Sequence, residues 1–347
     1  MAKDRRIAML NGKGEIYAGE APIPEVKAGE VLVKVEASLI SAGTEISGIR
    51  ARRDNPSESV STRTLGYQNA GTIVDKGEGC DKFNIGDRVA CMGGGAAHTE
   101  YSVVPCNLCV KIPDGVTYEE GAFNHLGATA LQAIRRADLQ LGEYVTILGL
   151  GIVGQIAAQL AQIAGCHVMA VDGVKSRVEK ARELGIERAV VLGEEDPVEV
   201  MAEFSRGYGM DCGIICFGGE ATKAVESLVK MAKKAPDGHQ MGRIVIVGGA
   251  HISQSFPTYL GNMDIRASSR TGPGYHDNAY EYGRDYPSAI VQWTTQRNLE
   301  EIIILINNGK LKVTPLITQR YPLDQVAEGY EKLIQTPNEA LGVILKP

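Results

Sequence analysis

An apolar run at 144–148 ends on Gly149-Leu150-Gly151-Ile152-Val153-Gly154 and passes at once into an Ala- and Leu-rich segment of helical spacing, 154–164. Nothing else in the chain limits its fold as strongly. A glycine triplet of this spacing is weak on its own, but between a buried strand and a helix it has a physical meaning. Gly149 permits the tight turn, Gly151 lets the backbone approach a pyrophosphate, and Gly154 lets helix and strand pack closely. The helix start at Ile152 and Val153 presents free N–H groups and the positive end of the helix dipole to phosphates. A second strand, 167–171, ends at Asp172, about 20 residues on, where a carboxylate accepts hydrogen bonds from both ribose hydroxyls and repels a 2′-phosphate. NAD is therefore expected over NADP. Arg177 keeps NADP open, since a cation there can hold the extra phosphate.

Further strands at 189–192, 213–216 and 243–247 alternate with helical segments such as 175–184. That alternation builds βαβ units and a parallel sheet. The first third is different. Residues 31–36 alternate as a half-wet strand, and 71–74 and 88–92 are short strands separated by turns such as Lys76-Gly77-Glu78-Gly79. This is the texture of a partly open barrel, with no helix of normal length before about Tyr118 and helical spacing over 118–137. Residues 271–287 read as a long ordered loop, of the kind that is usually functional. Helices at 299–307 and 323–333 and a strand at 342–345 close the chain. The expected class is α/β: a Rossmann doubly wound parallel sheet over 121–271, and a β-rich domain over 1–120 to which 272–347 returns.

A chain of 347 residues, 44% hydrophobic, suits two domains. A net charge of -6 leaves no basic footprint for nucleic acid. Arg50, Arg52 and Arg53 read as a solvated loop. The apolar runs are too short to span a bilayer, and no N-terminal signal segment is visible. Seven scattered cysteines, an odd number, fit free thiols in a reducing cytoplasm. Cys106 and Cys109 have CxxC spacing but lack the second pair that a structural zinc needs.

The Gly66 to Gly71 segment, Gly86-Asp87-Arg88-Val89, the glycine loop, and Pro322-Leu323 entering the last helix resemble the medium-chain dehydrogenase/reductase superfamily over nearly the whole chain. The resemblance implies a GroES-like catalytic domain and hydride transfer. It also marks a departure. Zinc-dependent members carry Cys-Gly-Ser/Thr-Asp where this chain has Ala42-Gly43-Thr44-Glu45, and Gly-His-Glu where it has Gly66-Tyr67-Gln68. The third ligand position, in the segment His125-Leu126-Gly127-Ala128-Thr129, falls on His125. The four-cysteine structural zinc lobe is missing. No metal is expected. Ser41-Ala42-Gly43-Thr44-Glu45 and the segment from Gly272-Pro273-Gly274-Tyr275 through Asp285-Tyr286-Pro287 resemble a zinc-less branch, which implies alcohol–ketone chemistry on a complex substrate.

Without a metal, side chains must handle the proton. Thr44 matches the family's hydroxyl relay position, and Tyr67 and His125 replace two ligands; each is also readable as a packed structural residue. His125 is favoured as acid–base because its intrinsic pKa lies near neutrality. Thr129 is counted with the cofactor contacts. His98 either braces a loop or serves the site, and Glu45 either orients Tyr67 or pairs with an arginine. Tyr275, His276, Asp277, Asn278, Tyr280, Arg284 and Tyr286 suit a polyhydroxylated substrate or a subunit contact. The expected function is NAD-dependent interconversion of a secondary alcohol and a ketone on a sugar, cyclitol or glycoside, by a homodimer or homotetramer. The alternatives are zinc-free reduction of a polarised C=C bond and non-catalytic NAD binding.

Overall fold

The computed structural model describes residues 4–253 and 260–347. They fall into two units, Met1–Ala128 with Thr271–Pro347, and Thr129–Arg270. The division comes later than residue 120 because the helix Asn124–Ala137 runs across it. Among the described residues no helix is long and apolar enough to cross a membrane.

In the second unit the strand Tyr144–Leu148 is buried at every position, as a continuous apolar run demands of a strand covered on both faces. It lies in a six-stranded parallel sheet in the order Arg188–Val191, His167–Asp172, Tyr144–Leu148, Cys212–Ile215, Met241–Val247, Asn262–Ser268. This is the 3-2-1-4-5-6 order of a doubly wound sheet. The strand order reverses between Tyr144–Leu148 and Cys212–Ile215, and such a switch point is where open α/β sheets bind ligands. The strand Met241–Val247 is one place inside the sheet edge. The edge is Asn262–Ser268, whose mixed polar sequence gives little strand signal. Leu228 of the helix Thr222–Met231 packs directly over Gly213, where a Cβ would lie 2.6 Å from the leucine.

The first unit is β-rich. Strands Tyr101–Pro105, Glu30–Leu39, Gln68–Lys76, Arg88–Met92 and Cys109–Lys111 pair antiparallel in that order. No ladder joins the last to the first among the described residues, so the barrel is open at one seam. The far end of Glu30–Leu39 instead pairs with Gly342–Lys346, which carries Ile317–Pro322 on its other side. The returning chain is thereby hydrogen-bonded into the same sheet.

Two readings need correction. The expected absence of a helix before Tyr118 is wrong: Ala42–Asp54 is a 13-residue helix. Its sequence hides it, because Gly43 and Gly48 weaken the propensity and only Glu45, Ile46 and Ile49 are buried. The arginines read as a solvated loop lie on this helix. Arg52 donates to the carbonyls of Leu10 and Asn11 at 2.8 and 2.9 Å, and Arg53 donates to that of Gly14 at 3.0 Å. The segment 118–137 is two helices, Tyr118–Gly121, started by a Thr117–Glu120 capping box, and Asn124–Ala137.

Leu228 is fully buried in the core of the parallel sheet. Leu228→Ala is expected to lower unfolding free energy by about 2–5 kcal/mol, read from a urea titration; a loss below about 1 kcal/mol would show that helix and sheet are not closely packed at Gly213.

Candidate active site

The glycine loop has the geometry its sequence requires. Gly149 has φ +89°, a left-handed conformation that side chains rarely adopt. A Cβ on Gly154 would lie 1.8 Å from the Gly149 carbonyl oxygen, so helix and turn approach as closely as backbone allows. A Cβ on Gly151 would meet nothing within 4 Å; the cradle above the helix Ile152–Ile163, begun by Ile152 and Val153, is open. Asp172 closes the next strand. One carboxylate oxygen accepts from the Leu150 N–H at 2.6 Å, the other from the Val174 N–H at 2.7 Å. The Arg177 guanidinium is 3.8 Å from the same carboxylate. These residues fit an adenine dinucleotide: an open helix N-terminus for the pyrophosphate and a fixed anion for the ribose.

The first unit holds a buried polar cluster around Glu45. The start of the helix Ala42–Asp54 brings this carboxylate inward, only 5% exposed. The Ser41 N–H donates to one oxygen at 2.8 Å, and the Gly66 N–H donates to the other at 2.9 Å. The Tyr330 hydroxyl, fully buried, donates to that second oxygen as well. His98, also fully buried, holds Ser38 with Nδ1 at 2.9 Å and sets Nε2 3.4 Å from Glu45, an ion-pair distance without good hydrogen-bond geometry. Burial alone pushes the Glu45 carboxyl up; His98, Tyr330 and Ser41 outweigh it, and the net direction is down. Glu45 thus orients Ser41 and the peptide before Tyr67, and His98 braces it. No arginine pairs with it among the described residues.

Tyr67 is half-buried beside this anion. Its phenol donates to the Ser41 hydroxyl, and the exposed Thr44 lies close enough to favour its ionised form. Burial first, then the charge of Glu45, pushes the phenol up to about 12. The ring of His125 stands 4.7 Å from that of Tyr67, and its Nδ1 lies 3.2 Å from the Tyr67 carbonyl oxygen. A carbonyl only accepts, so Nδ1 carries the proton of a neutral ring. Burial lowers the His125 pKa to about 4. The ground for ranking His125 first as acid–base, a pKa near neutrality, is therefore removed by its burial. Thr129 lies one turn further along the same helix, half-buried.

The loop from Thr271 divides its residues. Tyr275 reaches the cluster, edge-on to His125 at 6.0 Å and stacked on His276 at 4.0 Å. Tyr280 is buried, and Tyr286 and Asp277 bond each other at 2.5 Å, so these three brace the loop. Asn278 opens the short helix Asn278–Glu281, and Arg284 is exposed. The sequence reading missed Tyr330 and Ser38 altogether. Tyr330 sits on the apolar face of the final helix, where its spacing signals core and nothing signals the use of its hydroxyl.

The catalytic zinc that the resemblance would imply does not suit this donor set. Ala42 has no donor atom and the Tyr67 phenol is neutral, pushed up to about 12, which leaves His125, with its lone pair on Nε2, as the one firm ligand among the three positions. A catalytic zinc takes about three firm protein ligands.

Two domain models match in order: the alcohol dehydrogenase GroES-like domain over residues 27–114 and the zinc-binding dehydrogenase domain over 153–282. Mouse (Mus musculus) sorbitol dehydrogenase is 27% identical, covering 95% of this chain and 93% of its own length. Among solved structures, galactitol-1-phosphate dehydrogenase from Escherichia coli superposes with TM-score 0.79 at 21% identity, over 99% of this chain and 100% of that one. An Escherichia coli CFT073 structure described as a short chain alcohol dehydrogenase complexed with NADH superposes with TM-score 0.77 at 20% identity, covering 100% of both chains. Both domain models in order, and relatives matched from end to end, carry one conclusion: the chain belongs to the medium-chain dehydrogenase/reductase superfamily, among its alcohol-dehydrogenase-like oxidoreductases.

Proposed function

We propose that this protein interconverts a secondary alcohol and a ketone on a polyhydroxylated substrate, with NAD as cofactor and without a catalytic metal. The observation that carries this reading is the Tyr67 phenol: protonated, held by the Ser41 hydroxyl with Thr44 nearby, and set beside His125 at the positions where zinc-dependent members hold their metal. NAD is supported by Asp172 at the end of the second strand, with Arg177 drawn to it. A polyol is supported by the likeness to sorbitol dehydrogenase and by Tyr275, a ring with a hydroxyl suited to a sugar face.

NADH, when bound, supplies the hydride. In ketone reduction Tyr67 gives its proton to the substrate oxygen, and an alkoxide is basic enough to take it even from a phenol whose pKa is about 12. The exposed Thr44 hydroxyl passes a replacement proton inward from solvent. His125, neutral, fixes the Tyr67 backbone and walls the site. Glu45 keeps Ser41 in place beneath the phenol. In oxidation the same route runs backwards and needs a base, which slows it at neutral pH.

The open edge strand Asn262–Ser268 supports assembly through the nucleotide-binding unit into a homodimer or homotetramer, since an edge carries unpaired backbone donors and acceptors. Light scattering at micromolar concentration should show more than one chain per particle; a monomer refutes it. All seven cysteines are free thiols, which supports a reducing, cytoplasmic setting.

Tyr67→Phe should lower kcat for ketone reduction by roughly 10²–10⁴ with NADH binding nearly unchanged, and His125→Asn should lower it less. Because Tyr67 stays protonated to about 12, the reduction rate should be flat through the neutral range and into mildly alkaline pH. A rate that falls as pH rises through neutrality, or a larger loss in His125→Asn, would return the acid role to the histidine. Elemental analysis should find no stoichiometric zinc, and a chelator should leave turnover intact; one zinc per chain would overturn the metal-free mechanism. Reduction of an enone panel with no turnover of polyols would move the chemistry to C=C bonds.

A further inference from the structure

The helix that follows the glycine loop is apolar on its buried side except for two glutamines, Gln155 and Gln159. Gln155 is fully buried. A buried amide is costly unless its hydrogen-bonding groups are satisfied, so its placement calls for a reason. Its Nε2 donates to the Arg177 carbonyl at 2.7 Å and reaches the Leu150 carbonyl at 3.4 Å. Both partners are carbonyls, which only accept, so the amide nitrogen must face them and the orientation is settled. The Oε1 atom is left buried without a partner. A side chain chosen for stability alone would avoid that orphan; leucine or methionine fills similar space without it.

The two partners are informative. Leu150 is the residue between Gly149 and Gly151, and its peptides are held on both sides, the N–H by the Asp172 carboxylate and the carbonyl by Gln155. Arg177 stands in the first turn of the helix Lys175–Glu183, directly after the turn that Asp172 caps through the Val174 N–H. Gln155 therefore ties the loop expected to carry the pyrophosphate to the backbone of Arg177, the cation beside the ribose-reading acid. With the Arg177 backbone anchored, its guanidinium stays at 3.8 Å from Asp172. Freed, the turn could carry that charge outward toward a 2′-phosphate.

We propose that Gln155 is a positioning residue that sets the preference for NAD over NADP, by locking the register between the glycine loop and the Asp172–Arg177 turn. The inference rests on the reading of this unit as an NAD site. Gln155 touches no cofactor atom in this role; it acts through Leu150 and Arg177.

The test is fluorescence titration of the full-length protein with NADH and with NADPH, for wild type, Gln155→Leu and Gln155→Met. Wild type should bind NADH in preference. Each variant should lose NADH affinity by about three- to tenfold, the factor carried by one or two buried hydrogen bonds, and should narrow the NADH:NADPH ratio by a similar factor. A purely structural role would weaken both dinucleotides equally, or lower the thermal midpoint without moving the ratio; either result overturns the proposal. If Gln155→Leu does not fold, Gln155→Met, unbranched and of similar length, decides the question. A wild type that binds neither dinucleotide overturns the cofactor reading itself, whereas a wild type that prefers NADH beside variants of unchanged ratio overturns only the role of Gln155.

Discussion

A single buried anion organises the unit that holds the candidate catalytic residues. Glu45 is almost wholly removed from water, and an isolated carboxylate there would be strongly destabilising or would take up a proton. It stays ionised only because donors converge on it from separate stretches of chain: Ser41 before its own helix, Gly66 before Tyr67, and Tyr330 from the last helix, with His98 alongside. Each of those groups is held in return. The hydroxyl that receives the Tyr67 phenol belongs to Ser41, whose N–H is committed to Glu45, so the phenol inherits a fixed seat. The C-terminal segment returns to this unit through strand pairing and also through the Tyr330 hydroxyl.

The same network surrounds the residues at the positions that resemble metal-ligand sites. A zinc ion stabilises a developing alkoxide by charge. Here the fixed charge near the phenol is negative, the Glu45 carboxylate. That arrangement raises the Tyr67 pKa and favours its protonated form. Burial meanwhile strips His125 of its usual role as a neutral-pH titrant. Around one anion the cluster sets the hydroxyls of Ser41, Tyr67 and Tyr330, with the His125 ring beside that of Tyr67, a set of groups suited to hydrogen bonding.

In the nucleotide-binding unit the governing constraint is steric. Gly154 brings its helix against the Gly149 carbonyl at a separation no side chain tolerates. Once the helix is so close, the peptide of Leu150 lies within reach of both Asp172 and Gln155, and hydrogen bonds connect the turn, the acid and the following helix. The hydrophobic core under the sheet supplies stability; these few polar ties supply its precision.

The doubly wound unit was legible because its signals are local. A buried strand, a glycine turn, an amphipathic helix and an acid at a set distance each follow from short-range spacing, and Gly149, Gly151, Gly154 and Asp172 stand where that spacing puts them. The strands of the open barrel were legible for the same reason. The helix Ala42–Asp54 was not, since glycines and arginines mask its period, and tertiary contacts of Arg52 and Arg53 with distant carbonyls help to hold it. Motif resemblance singled out Thr44, Tyr67 and His125, but their roles could not be read from residue type. A histidine's intrinsic pKa pointed to His125 as the acid; only the folded chain decides how much water it loses and which anion a tyrosine faces. Spacing along a sequence specifies backbone geometry, whereas proton affinity depends on burial and on polar groups brought together from Ser41, Gly66, His98 and Tyr330, residues far apart in the chain, and that is settled by tertiary structure alone.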